Sequence, residues 1–378
     1  MRTDLFDYYL PEELIARHPA PERVLSRLLH LPRDPAKPLK HLQFSDFPAL
    51  LRDDDLLVIN DSKVLPARLL GHRAPGGGKV EALLVRPEDE RRWWAMVRPG
   101  KRIKASARLI FERGLLEAHV EDYGPPGSGE RLLRFESPEN LEEVLSRIGH
   151  TPLPPYILRA RKQDSGSDDS VPEEDGDRER YQTVYAQGPA RSVAAPTAGL
   201  HFNNEMLENL GKRGIEITRI QLHVGPGTFQ PITTEEAEEH PMHKEWIQLS
   251  RETAHAVNRA KQEGRRVVAV GTTVVRTLET AALVARGEAD KLFDPEEPTD
   301  IQNGLHVSPL AGWTRLMISP GHNFRCIDAL LTNFHLPRSS LLLLVSAFVS
   351  RERMLDAYNE AIKEGYRFYS YGDCMFID

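Results

Sequence analysis

Hydrophobic and polar residues alternate in two different ways along the chain, and the change divides it into regions. From Leu69 to about Pro154, short alternating runs such as 80–85 and 92–97 are separated by glycine and proline. This spacing is typical of the short antiparallel strands of a small barrel or sandwich, followed here by a helical pattern over Leu141–Ile148. We therefore expect residues 69–154 to form an inserted β-barrel domain.

Outside that region the spacing is typical of strands that alternate with helices. Strands are predicted over 54–60, 215–224, 266–271 and 327–333, and the first and third of them are expected to be buried. Helical spacing occurs at 204–210, 251–261, 274–286, 341–349 and 351–363, and a last strand is expected over 366–371. The patterns predict an α/β (mixed) main domain, residues 1–68 plus 155–378, that carries the small antiparallel β-barrel as an insertion.

Three of these helices begin with short polar side chains after a predicted strand or turn. Each start offers two candidate N-caps: Asn203 or Asn204, Thr272 or Thr273, and Ser339 or Ser340. Polar turns at the carboxyl ends of strands, just before helix N-termini, are where α/β proteins bind anionic groups and sugar hydroxyls. The sequence therefore predicts a ligand site built from several such turns.

Charge and composition narrow the class of protein. The formal net charge is −7 and the pI about 6.1, which alone argues against a nucleic-acid partner. Much of the negative charge lies in residues 163–180, whose lack of apolar periodicity predicts a disordered acidic loop, so the rest is near neutral. Cys326 and Cys374 have neither zinc nor disulfide spacing and are expected to be small core residues in a reducing cytoplasm.

Two further features concern localisation. The first residues contain no apolar segment of the kind found in signal peptides, and the longest apolar run, 341–349, is too short to span a bilayer. We therefore expect a cytoplasmic protein with no membrane partner, acting as a monomer.

His240, His243 and Glu245 resemble metal-ligand spacing, because two imidazoles and a carboxylate fall within six residues. Pro241 breaks the helix that such a register needs. A metal-dependent hydrolase is one interpretation; contacts to substrate, general acid–base work and a structural histidine pair are others. The chain lacks a P-loop, a three-glycine dinucleotide fingerprint and a nucleophile elbow.

Seven motifs, taken together and in order, resemble one family. They lie at 59–68 (INDSKVLPAR), 181–186 (YQTVYA), 195–202 (APTAGLHF), 222–229 (LHVGPGTF), 240–245 (HPMHKE), 271–276 (GTTVVR) and 332–340 (TNFHLPRSS). The resemblance is to the S-adenosylmethionine:tRNA ribosyltransferase-isomerase family of queuosine biosynthesis and covers essentially the whole chain. The acidic segment before Tyr181 is longer than the family pattern and leaves the motifs intact.

The resemblance implies an unusual reaction. S-adenosylmethionine, as co-substrate, donates its ribosyl group to the aminomethyl group of 7-aminomethyl-7-deazaguanine at the tRNA wobble position. The products are epoxyqueuosine-tRNA, adenine and methionine, and no metal is required. The implied fold is an α/β domain with an inserted β-barrel and the active site between them.

The reaction needs proton transfer at the ribose 5′ carbon, help for the leaving adenine, a carboxylate pocket and a basic surface for tRNA. We assign proton transfer to His201, His223, His243 and Glu245. Substrate binding is assigned to Asp61, Arg68, Arg191, Thr197, Gly199, Phe202, Thr228, Phe229, Thr272, Thr273, Arg276, Asn333 and His335. RNA binding is assigned to the basic run of Arg159, Arg161 and Lys162. A non-catalytic RNA-binding protein that uses the barrel is the second alternative.

Overall fold

The structure is a computed structural model that describes residues 1–100, 103–125, 128–165, 176–229, 231–297 and 304–378. Most of the predicted acidic loop, and the side chain of Phe229, lie outside the described residues. The described strands are β1 Arg27–Leu31, β2 Lys40–Gln43, β3 Leu56–Asn60, β4 Ser62–Val64, β5 Arg68–Ala74, β6 Gly78–Pro87, β7 Arg92–Arg98, β8 Arg108–Phe111, β9 Leu116–Tyr123, β10 Glu130–Glu136, β11 Gln187–Ser192, β12 Glu216–Leu222, β13 Glu245–Leu249, β14 Val267–Val270, β15 Phe293–Pro295, β16 Leu310–Thr314, β17 Ala329–Asn333 and β18 Cys374–Ile377. The described helices are α1 Phe47–Leu50, α2 Leu141–Ile148, α3 Pro155–Ser165, α4 Asp177–Arg180, α5 Asn204–Lys212, α6 Arg251–Gln262, α7 Thr272–Ala285, α8 Ser340–Val349 and α9 Arg351–Lys363.

A ten-stranded sheet forms the centre of the main domain. Its order is β15-β16-β13-β12-β3-β14-β17-β18-β1-β2. The four middle strands, β12, β3, β14 and β17, run parallel to one another. Their carboxyl ends therefore meet at one edge of the sheet, and the chain leaves β3 to add β12 on one side and β14 on the other. Such a switch point is where open α/β sheets bind ligands.

Both faces of the middle of this sheet are covered, which explains why β3, β14 and β17 are buried on both sides. Alternate residues divide between two cores. Leu56 and Val58 of β3 lie in the core that contains apolar residues of α6, α7, α8 and α9. Leu57 and Ile59 lie in the opposite core, with Phe202 and apolar residues of α1 and α5.

The inserted region is a closed antiparallel barrel. Its strand order is β10-β7-β6-β5-β8-β9. Inward positions alternate along each strand, as in β6, where Val80, Ala82 and Leu84 are buried. Helix α2 adds Leu141, Val144 and Leu145 to the same core. The barrel, together with the large sheet, confirms the predicted fold class.

The chain enters and leaves the barrel at one place. The N–H of Arg68 donates to the carbonyl of His150 at 3.2 Å, and the N–H of His150 donates back at 2.8 Å. Leu153, three residues after His150, packs against Val64 and Ile157 in a separate hydrophobic cluster at the junction. The Arg68–His150 pairing thus holds the two ends of the insertion together. The domain limits of 69–154 remain a prediction.

Most predicted elements of the main domain are present, and two helix caps are confirmed. The side chain of Asn203 accepts the N–H of Met206, and that of Ser339 accepts the N–H of Leu342. The predicted threonine cap of α7 is wrong: Gly271 occupies the N-cap with φ 94° and makes no side-chain bond. The hydroxyl of Thr273 instead accepts a hydrogen bond from Asn60 at 3.2 Å.

The strand expected over 366–371 is also wrong. These residues form a turn in which Tyr369 has φ 73°, and the strand comes later, at β18. A residue in the left-handed region cannot continue a β-strand. Seven other strands of the main domain were not predicted: β1, β2, β4, β11, β13, β15 and β16. Both cysteines are buried and unpaired, as expected. No helix in the described part of the chain has the length and apolarity to cross a membrane.

Candidate active site

A cavity opens at the carboxyl edge of the parallel strands. The empty space along its walls, including the part that is open to solvent, is about 650 Å³. Six segments supply its walls: the start of α3, the turn 195–198, the loop after β12, the start of α7, the end of β17 with the loop after it, and the turn before β18. Its lining residues are Tyr156, Ala195, Pro196, Thr197, Ala198, Val224, Thr228, Gly271, Thr272, Thr273, Thr332, Asn333, Phe334, His335, Leu336, Ser339, Leu341, Tyr369 and Ser370. Six of the predicted binding residues meet here: Thr197, Thr228, Thr272, Thr273, Asn333 and His335.

Asn60, at the end of β3, ties three of these segments together. Its side-chain amide donates to the carbonyl of Leu222 at 3.1 Å and to the hydroxyl of Thr273 at 3.2 Å. Its side-chain oxygen accepts the N–H groups of Ser62 and Leu222. The bond to Thr273 is partly buried and the others are buried, so Asn60 fixes the spacing between β3, β12 and the start of α7. Asn60 belongs to the motif 59–68, but it was not assigned to the site.

Arg276 and Glu245 form a buried ion pair beside the cavity. Their side chains are 8% and 4% exposed, and a guanidinium Nη1 donates to Oε2 of the carboxylate. The other oxygen accepts the N–H of Gly225 at 3.1 Å and the hydroxyl of Thr228 at 2.7 Å. Glu245 thus holds Arg276 and the loop 225–228 in place. Nε and Nη2 of Arg276 are buried and have no hydrogen-bond partner in the part of the chain that the structure describes. Arg276 lies one helical turn after Thr272.

The four residues assigned to proton transfer lie outside the cavity wall in the described part of the chain. His201 is buried behind Asn333, at 3.4 Å from its amide nitrogen, and burial lowers its pKa to about 3. His223 stacks on Trp246 with ring centroids 4.5 Å apart, and burial lowers its pKa to about 4. His243 is exposed and packs over Gly227, where an added Cβ would approach its ring to 2.3 Å.

His335, which was assigned to binding, is the histidine that lines the cavity in the described residues. Its backbone N–H donates to the hydroxyl of Tyr358 at 2.9 Å, and its carbonyl accepts a hydrogen bond from the hydroxyl of Tyr8. Its Nε2 lies 2.8 Å from the hydroxyl of Thr332. Burial lowers the pKa of His335 to about 3, which leaves the imidazole neutral at physiological pH.

One wall of the cavity comes from residues that the sequence did not point to. Tyr156, on α3 after the barrel, contacts Tyr369 with ring centroids 4.7 Å apart. The hydroxyl of Tyr156 donates to Oγ of Ser370 at 2.5 Å and accepts the N–H of Ser370 at 2.9 Å. The amide of Asn333 donates to the carbonyl of Tyr369 at 3.1 Å. These residues are distant in sequence, and no local sequence pattern predicts that they come into contact.

Several assigned binding residues lie elsewhere. Phe202 is fully buried and packs edge-to-face on Phe44 and Phe47, so its assignment to substrate is corrected: it is a core residue. Gly199 is buried against Tyr185, whose hydroxyl would lie 2.0 Å from an added Cβ, and only glycine fits there. The glycine thus serves close packing.

Two assigned arginines lie at the barrel and its boundary. Arg68 pairs with Glu81 at 3.3 Å within the barrel, and Arg191 pairs with Glu142 of α2 at 3.0 Å. Asp61 is buried, and no described residue hydrogen-bonds to its Oδ1. Burial raises the pKa of the Asp61 carboxyl, so a ligand that donates to it would stabilise its charged form.

The predicted basic run divides into unlike residues. Arg159 is exposed and Lys162 is half-buried. Arg161 is 4% exposed and forms a two-bond ion pair with Asp177, at 2.6 and 3.0 Å. Its assignment to RNA is therefore corrected, since a buried guanidinium with both nitrogens bound to a carboxylate cannot reach a phosphate. The local density of basic residues gave no sign of this partner.

The arrangement does not favour the metal-dependent hydrolase. Glu245 turns toward Arg276 and Thr228, while His243 lies on the exposed side of Gly227. Among the described residues, the group whose potential ligand atoms come within 4.8 Å of one another is Glu117, His119 and Glu136, on the barrel. That group lies far along the chain from the cavity and is partly exposed.

Comparison with known proteins agrees with these observations. The family model described as "Queuosine biosynthesis protein" matches residues 3–377. A protein of Moorella thermoacetica is 47% identical over 378 residues, and one of Heliobacterium modesticaldum is 46% identical over 380; each alignment covers all of both chains. Both are named S-adenosylmethionine:tRNA ribosyltransferase-isomerase. The crystal structure of S-adenosylmethionine tRNA ribosyltransferase from Thermotoga maritima matches with a TM-score of 0.51 at 33% identity, covering 99% of this chain and 100% of that one.

Proposed function

This chain belongs to the queuosine biosynthesis protein family, and we propose that it is an S-adenosylmethionine:tRNA ribosyltransferase-isomerase. In this proposal the ribosyl group of S-adenosylmethionine is transferred and isomerised onto the aminomethyl group of 7-aminomethyl-7-deazaguanine in tRNA. Adenine and methionine are released, and the tRNA carries epoxyqueuosine. Full-length similarity to proteins named for this reaction supports it.

The structural observation that carries the proposal is the cavity at the carboxyl edge of the parallel strands. It has a hydroxyl-rich part around Thr197, Thr228, Thr272 and Thr273, and an aromatic part around Tyr156 and Tyr369. Thr228 follows β12, and Tyr369 precedes β18. In the sheet order β12-β3-β14-β17-β18, these two strands are four intervals of about 4.8 Å apart, or about 19 Å in all. An elongated ligand with a charged end and a planar apolar end suits this shape, and S-adenosylmethionine is such a ligand.

We assign the charged end to Arg276 and the start of α7. The first N–H groups of a helix have no partner within the helix and favour an anion. Arg276 adds two buried N–H donors that lack a partner, Nε and Nη2. Leaving such donors unpaired costs about 1–3 kcal/mol, so a ligand carboxylate that binds them recovers this free energy. The methionine carboxylate is the group that we place there.

Sugar hydroxyls are assigned to the loop after β17. Asn333 lines the cavity, and its buried Oδ1 has no partner among the described residues, so it can accept a ribose hydroxyl. Asp61, also with an unpartnered oxygen, is assigned to an N–H or O–H donor of the tRNA nucleotide. Thr197 and Ser339 offer hydroxyls on the same wall.

For tRNA we propose the barrel and its junction with the main domain. Arg159 is exposed on α3, three residues after Tyr156, which lines the cavity. Lys162 lies one turn later and is half-buried. We further propose that the enzyme works in the cytoplasm as a monomer and needs no metal, which elemental analysis and light scattering of the purified protein would test.

The reaction itself is tested by the release of adenine. Purified protein is incubated with S-adenosylmethionine and with tRNA that carries 7-aminomethyl-7-deazaguanine, and adenine and methionine are quantified by chromatography. We expect equal amounts of both, only when that tRNA is present, and none with tRNA that carries an unmodified guanine. Binding of the tRNA with neither turnover nor calorimetric binding of S-adenosylmethionine, with or without tRNA, would instead indicate a non-catalytic RNA-binding protein.

A further inference from the structure

His335 is held more rigidly than a side chain that only lines a cavity needs to be. Its backbone is fixed on both sides by the hydroxyls of Tyr358 and Tyr8. Its loop ends at Arg338, whose backbone has φ 56°, whose N–H donates to Phe6 and whose carbonyl accepts from Ile232. Residues held in the left-handed region cost free energy and concentrate at functional sites. The surroundings therefore fix where the imidazole lies.

The hydroxyl of Thr332 contacts two groups, and the direction of its one hydrogen decides which ring nitrogen of His335 carries a proton. The hydroxyl oxygen lies 2.8 Å from Nε2 of His335 and 3.4 Å from the carbonyl oxygen of Asn333. We assign its hydrogen to the carbonyl, which makes the hydroxyl the acceptor of Nε2–H. Nδ1 is then the nitrogen with the free lone pair. No described residue hydrogen-bonds to Nδ1, and the ring lines the cavity, so this lone pair is available to a ligand.

We propose that Nδ1 of His335 is the general base that removes the proton from the ribose 5′ carbon of bound S-adenosylmethionine. The inference rests on the proposed function and adds the residue that starts its chemistry. In the step, the C5′–H bond breaks, its electron pair stays on C5′ beside the sulfonium, and an N–H bond forms at Nδ1. Thr332 is a positioning residue, because it acts through the imidazole.

The charge balance of this step suits a buried site. Before transfer, the sulfonium is positive and the imidazole neutral; afterwards the sulfur ylide is neutral overall and the imidazolium positive. The net charge in the cavity stays the same, so the step adds no new buried charge. The neutral state of His335 also means that no positive charge opposes the binding of the sulfonium.

His201, His223 and His243 lack this combination. His201 is separated from the cavity by Asn333, His223 is stacked on Trp246, and His243 is exposed outside the cavity wall. The loop that carries His335 also brings Asn333 and Ser339 to the same wall. The base would thus sit next to the groups that we assign to the ribose hydroxyls.

The test uses His335→Gln, with S-adenosylmethionine deuterated at C5′ and the substrate tRNA. We expect the affinity for S-adenosylmethionine to stay within about threefold. Adenine release and the loss of deuterium to water should each fall by at least about 100-fold, the lower end for a general base. His255→Gln, the same change at an exposed position on α6, is the matched control and should behave as wild type.

Two further variants separate catalysis from structure. His335→Ala should regain part of its turnover when imidazole is added, which a purely structural histidine would not show. Thr332→Val keeps the imidazole but removes its orienting partner, so we expect about a tenfold loss of turnover with binding retained. Turnover by His335→Gln within fivefold of wild type would overturn the proposal, whereas absence of adenine release by the wild type would overturn the proposed function instead.

Discussion

The barrel and the carboxyl edge of the large sheet differ in whether their buried polar side chains have hydrogen-bond partners. Across the described barrel strands, Arg68 Nε is the one buried side-chain atom that makes no hydrogen bond, and it lies 3.3 Å from the carboxylate of Glu81. Charges pair on the barrel surface, as Arg86 does with Glu130 at 3.0 Å. At the sheet edge, Asp61 Oδ1, Asn333 Oδ1 and two nitrogens of Arg276 are buried with no hydrogen-bond partner among the described residues.

This difference indicates which part of the molecule binds a ligand. Buried polar groups are nearly always hydrogen-bonded, and each exception needs an explanation. In the barrel there is almost nothing to explain, so that region is a stable scaffold. At the sheet edge the exceptions surround one cavity or lie beside it, and their donors and acceptors match a carboxylate and sugar hydroxyls.

The largest expected effect comes from removing the scaffold. Because Arg68 and His150 pair with each other, the segment from Leu69 to Gly149 can be replaced by a short Gly-Ser-Gly linker. We expect the shortened protein to unfold cooperatively and to bind S-adenosylmethionine within about tenfold of the wild type, but to lose turnover of tRNA. Circular dichroism, calorimetry and adenine release measure the three properties. Turnover of tRNA by the shortened protein would show that the barrel takes no part in the reaction.

The next effect concerns stability at the junction. Arg161→Met leaves the buried Asp177 carboxylate without its partner, and breaking a buried pair in this way costs about 3–5 kcal/mol of unfolding free energy. Arg159→Met, the same change at an exposed neighbour, should cost less than about 0.5 kcal/mol. Urea denaturation of both variants makes the comparison. Equal midpoints would mean that the ion pair is not formed in solution.

The next effect concerns the affinity for S-adenosylmethionine, which we expect to depend on Arg276 only when the ligand has its carboxylate. Arg276→Lys removes the two unpartnered donors, and a charge-assisted hydrogen bond is worth about 1.5–3 kcal/mol, so we expect about a 10–100-fold weaker binding of S-adenosylmethionine. Decarboxylated S-adenosylmethionine, which lacks the carboxylate, should bind both proteins equally. Because the same protein binds both ligands, a loss confined to the first cannot come from instability. Equal losses for both ligands would place the carboxylate elsewhere.

The smallest effect concerns the tRNA surface. Arg159→Ala should weaken tRNA binding and reduce the slope of log affinity against log salt by about one, because one phosphate contact is lost. Affinity for S-adenosylmethionine should not change. Titrations at several salt concentrations, with Arg251→Ala on the exposed start of α6 as control, provide the measurement. An unchanged slope would move the tRNA to another face.

Much of the fold followed from periodicity, since the alternating barrel strands and the fully apolar β3, β14 and β17 have distinct patterns. The turn at 366–371 was misread as a strand because its apolar and aromatic residues suit one, whereas Tyr369 lies in the left-handed region. Strand β2 is largely exposed and has no apolar pattern to detect.

The site was predictable only where chemistry and local pattern coincide. Thr272, Thr273 and Asn333 follow strand ends, and they line the cavity. Tyr156 and Ser370 are 214 positions apart and meet only through tertiary structure. The burial of Arg161 and Phe202 likewise depends on distant partners, Asp177 for the first and Phe44 and Phe47 for the second. Local sequence could not separate His335 from the other histidines.

The central claim is that the ribosyl group, and not the methyl group, of S-adenosylmethionine reaches tRNA. The most direct measurement uses S-adenosylmethionine labelled with carbon-13 in the ribose or, separately, in the methyl group. After incubation with tRNA bearing 7-aminomethyl-7-deazaguanine, the modified nucleoside is analysed by mass spectrometry. We predict that it carries all of the ribose label and none of the methyl label, while free adenine accumulates. Methyl label in the tRNA, or no label from either donor, would contradict the account.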